Sequence, residues 1–181
     1  MHVQRMTIPE LEKPENARWL ALLIDTEGAI GWKRKRERHI IRGRTYIYVY
    51  VVPYISVSMK EIESKRTVDT AAYLIGVSPA TYETKAGEKI RTFTVDYGRA
   101  MATIHYMKPY LDKFKRMTIL IQTLFKYHTF IPYERFKHAI TMLFGKYLIA
   151  KQANQILLQM IEEEFKAFIR KVERITLEYL L

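Results

Sequence analysis

The sequence predicts an α+β domain in which one four-stranded antiparallel sheet carries helices on one face. Three observations predict it: an apolar helical segment before residue 28, two pairs of segments with strand character, and a helical pattern from Tyr97 nearly to the C-terminus. Their order (αββαββα, then C-terminal helices) is typical of a sheet and a helical layer around one core. We expect residues 1–130 to form the core domain and residues 131–181 a helical extension of it.

The first helix is expected to begin at Pro14, because proline is favoured at the first helical position. Its second half, from Trp19 to Ile24, is apolar nearly all round, which indicates burial on several sides. Gly28 stands just past the helix end, where a left-handed residue is favoured. We therefore expect a buried helix that ends in a left-handed glycine.

Two strands with a turn at residues 42–44 follow this helix, over residues 30–38 and 45–58. In the second strand, aliphatic residues such as Ile47 alternate with tyrosines and serines, and alternate side chains point to opposite faces. A short helix over residues 65–74, a second hairpin (81–85 and 89–95) and helices with breaks at Pro109, at residues 127–132 and at Gly145 complete the chain. The pattern predicts a sheet with one core face and one hydroxyl-bearing face.

Charge and composition restrict the class of partner. The chain has 181 residues and a net charge of +11, which favours a polyanion, either nucleic acid or an anionic membrane surface. It has no cysteine, which excludes disulfides, thiolate metal sites and cysteine catalysis. The N-terminus lacks a secretory-signal core, and the longest apolar stretch, residues 46–57, is too short to span a bilayer. We expect an intracellular protein that is neither secreted nor membrane-bound.

More than half of the net charge lies in the first hairpin. Residues 33–44 hold seven basic residues and one acid, Glu37, a net charge of +6. A two-stranded ribbon fits the DNA major groove, where Lys and Arg contact phosphates and read guanine edges. The alternative is a solvated hairpin whose charges only guard against edge pairing. Adjacent basic residues on both faces indicate that the hairpin projects beyond the core.

The predicted DNA-binding residues are the basic residues of this hairpin with the preceding glycine, the tyrosines and serines of the second strand, and charged residues of the second hairpin. They are Gly31, Lys33, Arg34, Lys35, Arg36, Arg38, Arg42, Arg44, Tyr46, Tyr48, Tyr50, Tyr54, Ser56, Ser58, Glu83, Lys85, Lys89 and Arg91.

Two acids, Asp25 and Glu27, stand at the C-terminal end of the apolar helix. The helix dipole disfavours an acid there by about 0.3–1 kcal/mol. A divalent cation reverses this cost, because Mg²⁺ prefers carboxylate oxygens, and phosphodiester hydrolysis uses such metals to activate water. The alternatives are that Asp25 accepts amide hydrogen bonds in the turn and that Glu27 is simply solvated.

Residues 20–28, Leu-Ala-Leu-Leu-Ile-Asp-Thr-Glu-Gly, resemble the LAGLIDADG signature of homing endonucleases. Leu22 replaces the glycine of the signature, Thr26 stands at its seventh position, and Glu27 replaces the last aspartate. The resemblance covers residues 14–127 and includes the basic strand pair and the order of elements. It implies a saddle-shaped sheet that lies along the DNA major groove.

The resemblance further implies a site-specific DNA endonuclease that uses Mg²⁺ or Mn²⁺. Glu27 matches the metal-binding acid, and Asp25 matches the second acid, whose role is more structural; both are expected metal ligands. The chain has one motif, so a homodimer with a long, near-palindromic double-stranded target is implied. The helix residues expected at the dimer interface are Trp19, Leu20, Ala21, Leu22, Leu23 and Ile24.

The other catalytic positions are also implied by the resemblance. Lys115, with Lys113 second, matches a lysine that organises the attacking water, and Lys60 and Arg66 stand near polar and basic positions after the second strand. The same scaffold occurs in maturases, so an RNA-binding splicing factor, with or without cleavage, is the alternative function. A regulator that binds DNA without cutting it is a third hypothesis.

Overall fold

The computed structural model describes residues 6–181, which form two compact units. The first unit comprises residues 31–53 and 116–181, and the second comprises residues 6–30 and 54–115. The helices are α1 (Pro14–Glu27), α2 (Glu61–Ile75), α3 (Tyr97–Met107), α4 (Lys115–Leu124), α5 (Tyr133–Phe144), α6 (Ala150–Gln159) and α7 (Glu162–Ile175). The strands are β1 (Gly28–Ile41), β2 (Arg44–Lys60), β3 (Ala80–Glu83), β4 (Lys89–Asp96) and β5 (Ile131–Pro132).

The main strands follow the order β1-β2-β4-β3, and the short β5 pairs with β2. The pairs β2–β4, β2–β5 and β3–β4 are antiparallel. The predicted α+β class with a four-stranded antiparallel sheet is therefore confirmed. Within residues 6–181, each helix is too short or too polar to cross a membrane.

In the first unit, β1 and β2 are joined by a tight two-residue turn. Arg42 and Gly43 both have positive φ, 50° and 75°, as a type I′ hairpin turn requires. The end of this hairpin is exposed on both faces over residues 36–48. The expectation that it projects beyond the core is confirmed. Ile47, expected on the core face, is 50% exposed, because the described residues cover neither face at this end.

The base of the hairpin packs against the C-terminal helices of the same unit. The Trp32 ring meets Phe136 of α5 edge-on, with centroids 5.3 Å apart, and Phe136 stacks on Phe125 at 5.8 Å. The Arg34 guanidinium lies over the Tyr133 ring, 5.2 Å from its centroid. The C-terminal helices therefore support the basic hairpin from below its exposed end.

In the second unit, α2 and α3 pack on β4, and α1 contacts α3. Phe93 and Val95 of β4 are buried, as are Ile55 and Val57 of β2. The register places Val57 opposite Phe93 and Ser58 opposite Thr92, so the polar residues share the other face. The expected division into a core face and a hydroxyl-bearing face is confirmed in this unit.

Gly28 differs from the sequence-based expectation. Its φ of −105° and ψ of −175° are extended, because the chain passes directly from α1 into β1. Glycine is needed here for close approach, since a Cβ at this position would lie 2.9 Å from the Ile24 Cα. The expected left-handed cap occurs instead at Gly76, which ends α2 with a φ of 82°.

Substitution of Gly28 by alanine is expected to destabilise the fold by about 1–3 kcal/mol, the usual cost of overpacking. The atom that must yield is in the α1 backbone, which has little freedom to move. Chemical denaturation of the variant and the native chain measures the difference. An unchanged free energy of unfolding would contradict the close contact.

Candidate functional site

The two acids at the end of α1 have different surroundings. The Asp25 carboxylate accepts a hydrogen bond from the backbone N–H of Asp112 at 2.6 Å through Oδ2 and from that of Phe114 at 3.1 Å through Oδ1. Glu27 is exposed and makes no hydrogen bond or ion pair with residues 6–181. The expected amide bonds of Asp25 exist, although the amides belong to a distant loop rather than to its own turn. The carboxylate that remains open to a cation is Glu27.

The loop held by Asp25 carries two of the candidate lysines. Lys113 lies between the two bonded amides, and its ammonium is 5.0 Å from the centroid of the Phe114 ring. Phe114 is buried, and Lys115 is exposed at the first position of α4. The fold of the second unit thus brings the lysine loop to the end of α1, although it is almost 90 residues away in sequence, at separations of 87 and 89.

The other two catalytic candidates have local partners of their own. Lys60, at the end of β2, forms an ion pair of 2.8 Å with Glu88, and this contact raises the pKa of the lysine. Arg66 is exposed on α2 and lines a shallow groove with Lys65 and Asp69. Their catalytic roles stay predictions.

The Glu27 carboxylate could bind a divalent metal only together with other ligands. Within residues 6–181, no three His, Cys, Asp or Glu side chains are grouped to hold a metal ion. Mg²⁺ in proteins is commonly bound by one or two carboxylates, with waters and substrate phosphates completing its shell. A single exposed carboxylate therefore fits this donor set when a phosphate or a second carboxylate joins it.

The basic hairpin presents arginines on its exposed end. Its single acid, Glu37, accepts a hydrogen bond from the Tyr50 hydroxyl and lies 3.1 Å from the His39 Nε2. Two of the predicted DNA contacts have little exposed surface in this chain, and their roles stay predictions. Gly31 is buried, and Tyr50 is 9% exposed, packed at 5.6 Å against Phe130. The exposed candidates in this unit are Arg34, Arg36, Arg38, Arg42, Arg44, Tyr46 and Tyr48, and Lys33 and Lys35 are half-buried.

Arg91, predicted to contact DNA, is directed to the helical side of its strand. It pairs with Asp69 of α2 at 2.6 Å, donates to Thr81 at 3.0 Å and is only 18% exposed. Arg91 lies two residues before the buried Phe93, so both side chains face the helices, and its predicted DNA contact stays a prediction. By the register of β3 with β4, Glu83 and Lys89 lie on the same side of the sheet as Arg91. Lys85 follows the end of β3.

The open face of the second unit holds residues that sequence reasoning missed. Tyr54, Ser56 and Ser58 were predicted, and Thr94 and Thr92 lie opposite Ser56 and Ser58. The Ser58 and Thr92 hydroxyls are 2.7 Å apart. Tyr82 extends this face on β3, opposite Ile90. In the sequence of β4, polar Thr92 and Thr94 alternate with apolar Phe93 and Val95, and this pattern could have identified the two threonines.

Arg91→Met is expected to lower the free energy of unfolding by about 1 kcal/mol, because a partly buried charged hydrogen bond is lost. DNA affinity should not change. Denaturation and fluorescence anisotropy measure the two effects, with the exposed Arg170→Met of α7 as the control. Native stability combined with weakened DNA binding would restore Arg91 to the interface.

Only part of the apolar segment of α1 is accessible to a partner. Leu20, Ala21 and Ile24 are fully buried within the chain, and Leu23 is 8% exposed. Their side chains already pack in the core of this chain, so their part in a dimer contact stays a prediction. The accessible residues are Trp19, 37% exposed, and Leu22, 64% exposed.

No family model matches the sequence, and no curated protein is significantly similar to it. Solved structures do align with most of the chain. It is similar in structure to LAGLIDADG homing endonucleases.

The DNA-bound homing endonuclease I-CvuI aligns with 14% identity and a TM-score of 0.47, over 90% of this chain and 97% of that one. The homing endonuclease I-TnaI aligns with 13% identity and a TM-score of 0.42 (90% and 97%). The LAGLIDADG homing endonuclease I-LtrWI, bound to target DNA, aligns with 15% identity and a TM-score of 0.41 (86% and 49%).

Proposed function

We propose that this chain is a site-specific DNA endonuclease of the LAGLIDADG type, dependent on Mg²⁺ or Mn²⁺ and active as a homodimer. The observation that carries the proposal is the exposed Glu27 at the end of α1, two residues after the Asp25 that holds the lysine loop. An acid at a helix C-terminus is unfavourable unless a cation balances it. The motif over residues 20–28 and the basic hairpin support the same function.

The chemistry is divided between Glu27 and the lysine loop. A divalent cation held by Glu27 would activate water and neutralise charge on the attacked phosphate. Lys115 or Lys113 would orient the attacking water and balance the anionic phosphodiester. One chain supplies one such carboxylate, so two chains related by a twofold axis supply one for each DNA strand.

The dimer contact follows from the exposed residues of α1. Trp19 and Leu22 are large apolar side chains three positions apart, so they lie on the same face of the helix. The apolar residues between and beside them, Leu20, Ala21, Leu23 and Ile24, are buried, so Trp19 and Leu22 are the large apolar side chains of α1 that a partner could cover. In a twofold dimer the same patch meets its own copy, and Leu22 would lie at the centre of that contact.

DNA binding is assigned to two surfaces. The exposed arginines of the first hairpin suit phosphates and guanine edges in the major groove. The hydroxyls of Ser56, Ser58, Thr92 and Thr94 suit base edges as donors or acceptors. These surfaces give a mixture of positioning and base-reading contacts, which a site-specific enzyme requires.

Leu22→Glu is expected to convert the dimer to a monomer and to abolish double-strand cleavage, because a charge would be buried at the contact. Sedimentation at micromolar concentration measures the first effect, and cleavage of plasmid DNA the second. Ile62→Glu is the matched control, since Ile62 is 92% exposed on α2, outside the proposed contact. A native chain that is monomeric even with target DNA would contradict the dimer.

The function itself is tested by cleavage selection. A plasmid library randomised over about two helical turns of DNA, or about 21 base pairs, is incubated with the native chain and Mg²⁺, and the cut molecules are recovered. We expect one related set of near-palindromic sequences, with no cutting in EDTA. Tight, metal-independent binding without cleavage would instead favour a regulator that only binds DNA.

RNA binding is a second candidate, favoured by the outer face of α2. Tyr73 is 69% exposed and lines a groove with Lys65 and Arg66. An aromatic ring beside basic groups suits an unstacked RNA base and its phosphate. A splicing assay with an intron RNA that encloses the reading frame tests this role. Tyr73→Ala should impair splicing, whereas Glu27→Gln should not.

A further inference from the structure

Asp25 makes an unusual pair of contacts for an acid next to a nuclease site. One carboxylate accepts two backbone amides, those of Asp112 and Phe114, at 2.6 and 3.1 Å. Hydrogen bonds to an ionised acceptor are about twice as strong as neutral ones. The segment between α3 and α4 begins with a 3-10 turn at Lys108–Tyr110, and the backbone amides of Leu111 and Lys115 donate to the Lys108 and Asp112 carbonyls at 3.4 and 3.3 Å. Asp25 is therefore a principal anchor of this segment.

The same geometry opposes a role for Asp25 as a metal ligand alongside Glu27. Two N–H groups point at its oxygens, and their positive ends repel a cation placed there. Of the two acids, Glu27 is therefore the one whose carboxylate is open to a cation.

The anchored segment carries the candidate lysines. Lys113 lies between the two bonded amides, and Lys115 is the next residue after Phe114. Leu111 and Phe114 are buried and fix the segment in the core of the second unit. The two hydrogen bonds to Asp25 fix the position of the segment along the axis of α1. A shift of about 1 Å in a catalytic group can lower a rate about a hundredfold.

We propose that Asp25 is a positioning residue, which sets the Lys113–Lys115 segment against the end of α1 that carries Glu27. This inference rests on the proposed endonuclease function and goes beyond it by naming the segment that Asp25 holds in place. Glu27 binds the metal. Asp25 acts on the reaction only through the lysine segment.

The test is Asp25→Asn, in which one of two acceptors becomes an NH₂ group that faces an amide N–H. We expect the single-turnover cleavage rate of a selected duplex to fall at least about tenfold, with unchanged DNA affinity. Calorimetric titration of Mn²⁺ into the protein–DNA complex should give native affinity for Asp25→Asn and lost binding for Glu27→Gln. Hydrogen exchange at the Asp112 and Phe114 amides should accelerate. Glu12→Gln, an exposed acid-to-amide change before α1, is the control.

Three outcomes would overturn the inference: native cleavage by Asp25→Asn, loss of Mn²⁺ affinity in that variant, or unchanged exchange at the two amides. A native chain that cuts no DNA in the selection overturns the proposed function instead. The exchange measurement needs no cleavage, so it still decides whether Asp25 holds the segment.

Discussion

Glu27→Gln is expected to abolish cleavage and to leave DNA binding intact. Glutamine keeps the size of the side chain but loses the charge that a divalent cation requires. Removing one group that stabilises transition-state charge typically lowers kcat by about 10²–10³-fold, and loss of the metal should reach at least the upper end of this range. Single-turnover cleavage with Mg²⁺ and anisotropy with Ca²⁺ measure the two properties.

The matched control for this change is Glu164→Gln, an exposed acid-to-amide substitution on α7. It should cut DNA at the native rate. Because Glu27 is exposed and has no partner within residues 6–181, its loss should not reduce stability. If Glu27→Gln still cuts DNA with Mg²⁺ at the native rate, the assignment of the metal-binding carboxylate is wrong.

Replacing four exposed hairpin arginines by alanine is expected to weaken DNA binding strongly and to reduce its salt dependence. The residues are Arg36, Arg38, Arg42 and Arg44. Each phosphate contact adds about 0.9 to the slope of log K against log salt, so a homodimer that loses eight contacts, four from each chain, should reduce that slope by about 7. Anisotropy titrations at several salt concentrations measure it.

A control variant that loses the same number of positive charges elsewhere separates the effect of local DNA contacts from the effect of net charge. The control replaces Lys151, Lys166, Arg170 and Arg174 by alanine, all exposed on α6 and α7. Its salt slope should remain near the native value. If both variants lose the same affinity and slope, then DNA binding depends on overall charge and the hairpin has no special role.

The sequence predicted the features that depend on neighbours along the chain. Alternation predicted the strands of both hairpins, and the turn predicted at residues 42–44 forms at Arg42 and Gly43. The apolar second half of α1 is buried as expected, except for Trp19 and Leu22. Local periodicity therefore determines the α+β class and most of the core of each unit.

Features that depend on distant neighbours could not be predicted. The amides that Asp25 accepts are almost 90 residues away, and no local pattern links them to the acid. The close approach at Gly28 depends on how β1 leaves α1, so the glycine was assigned the wrong backbone conformation. Arg91 is different, because it stands two residues before Phe93, and the strand alternation of the sequence already placed both side chains on one face.

The central claim is that Glu27 is one half of a symmetric, metal-dependent site. The measurement that tests it most directly is end-mapping of both strands of a selected duplex after cleavage by the native chain with Mg²⁺. We predict one cut in each strand, placed symmetrically about the centre of a near-palindromic sequence, and none in EDTA. Cuts confined to one strand, or cuts that persist in EDTA, would contradict the account.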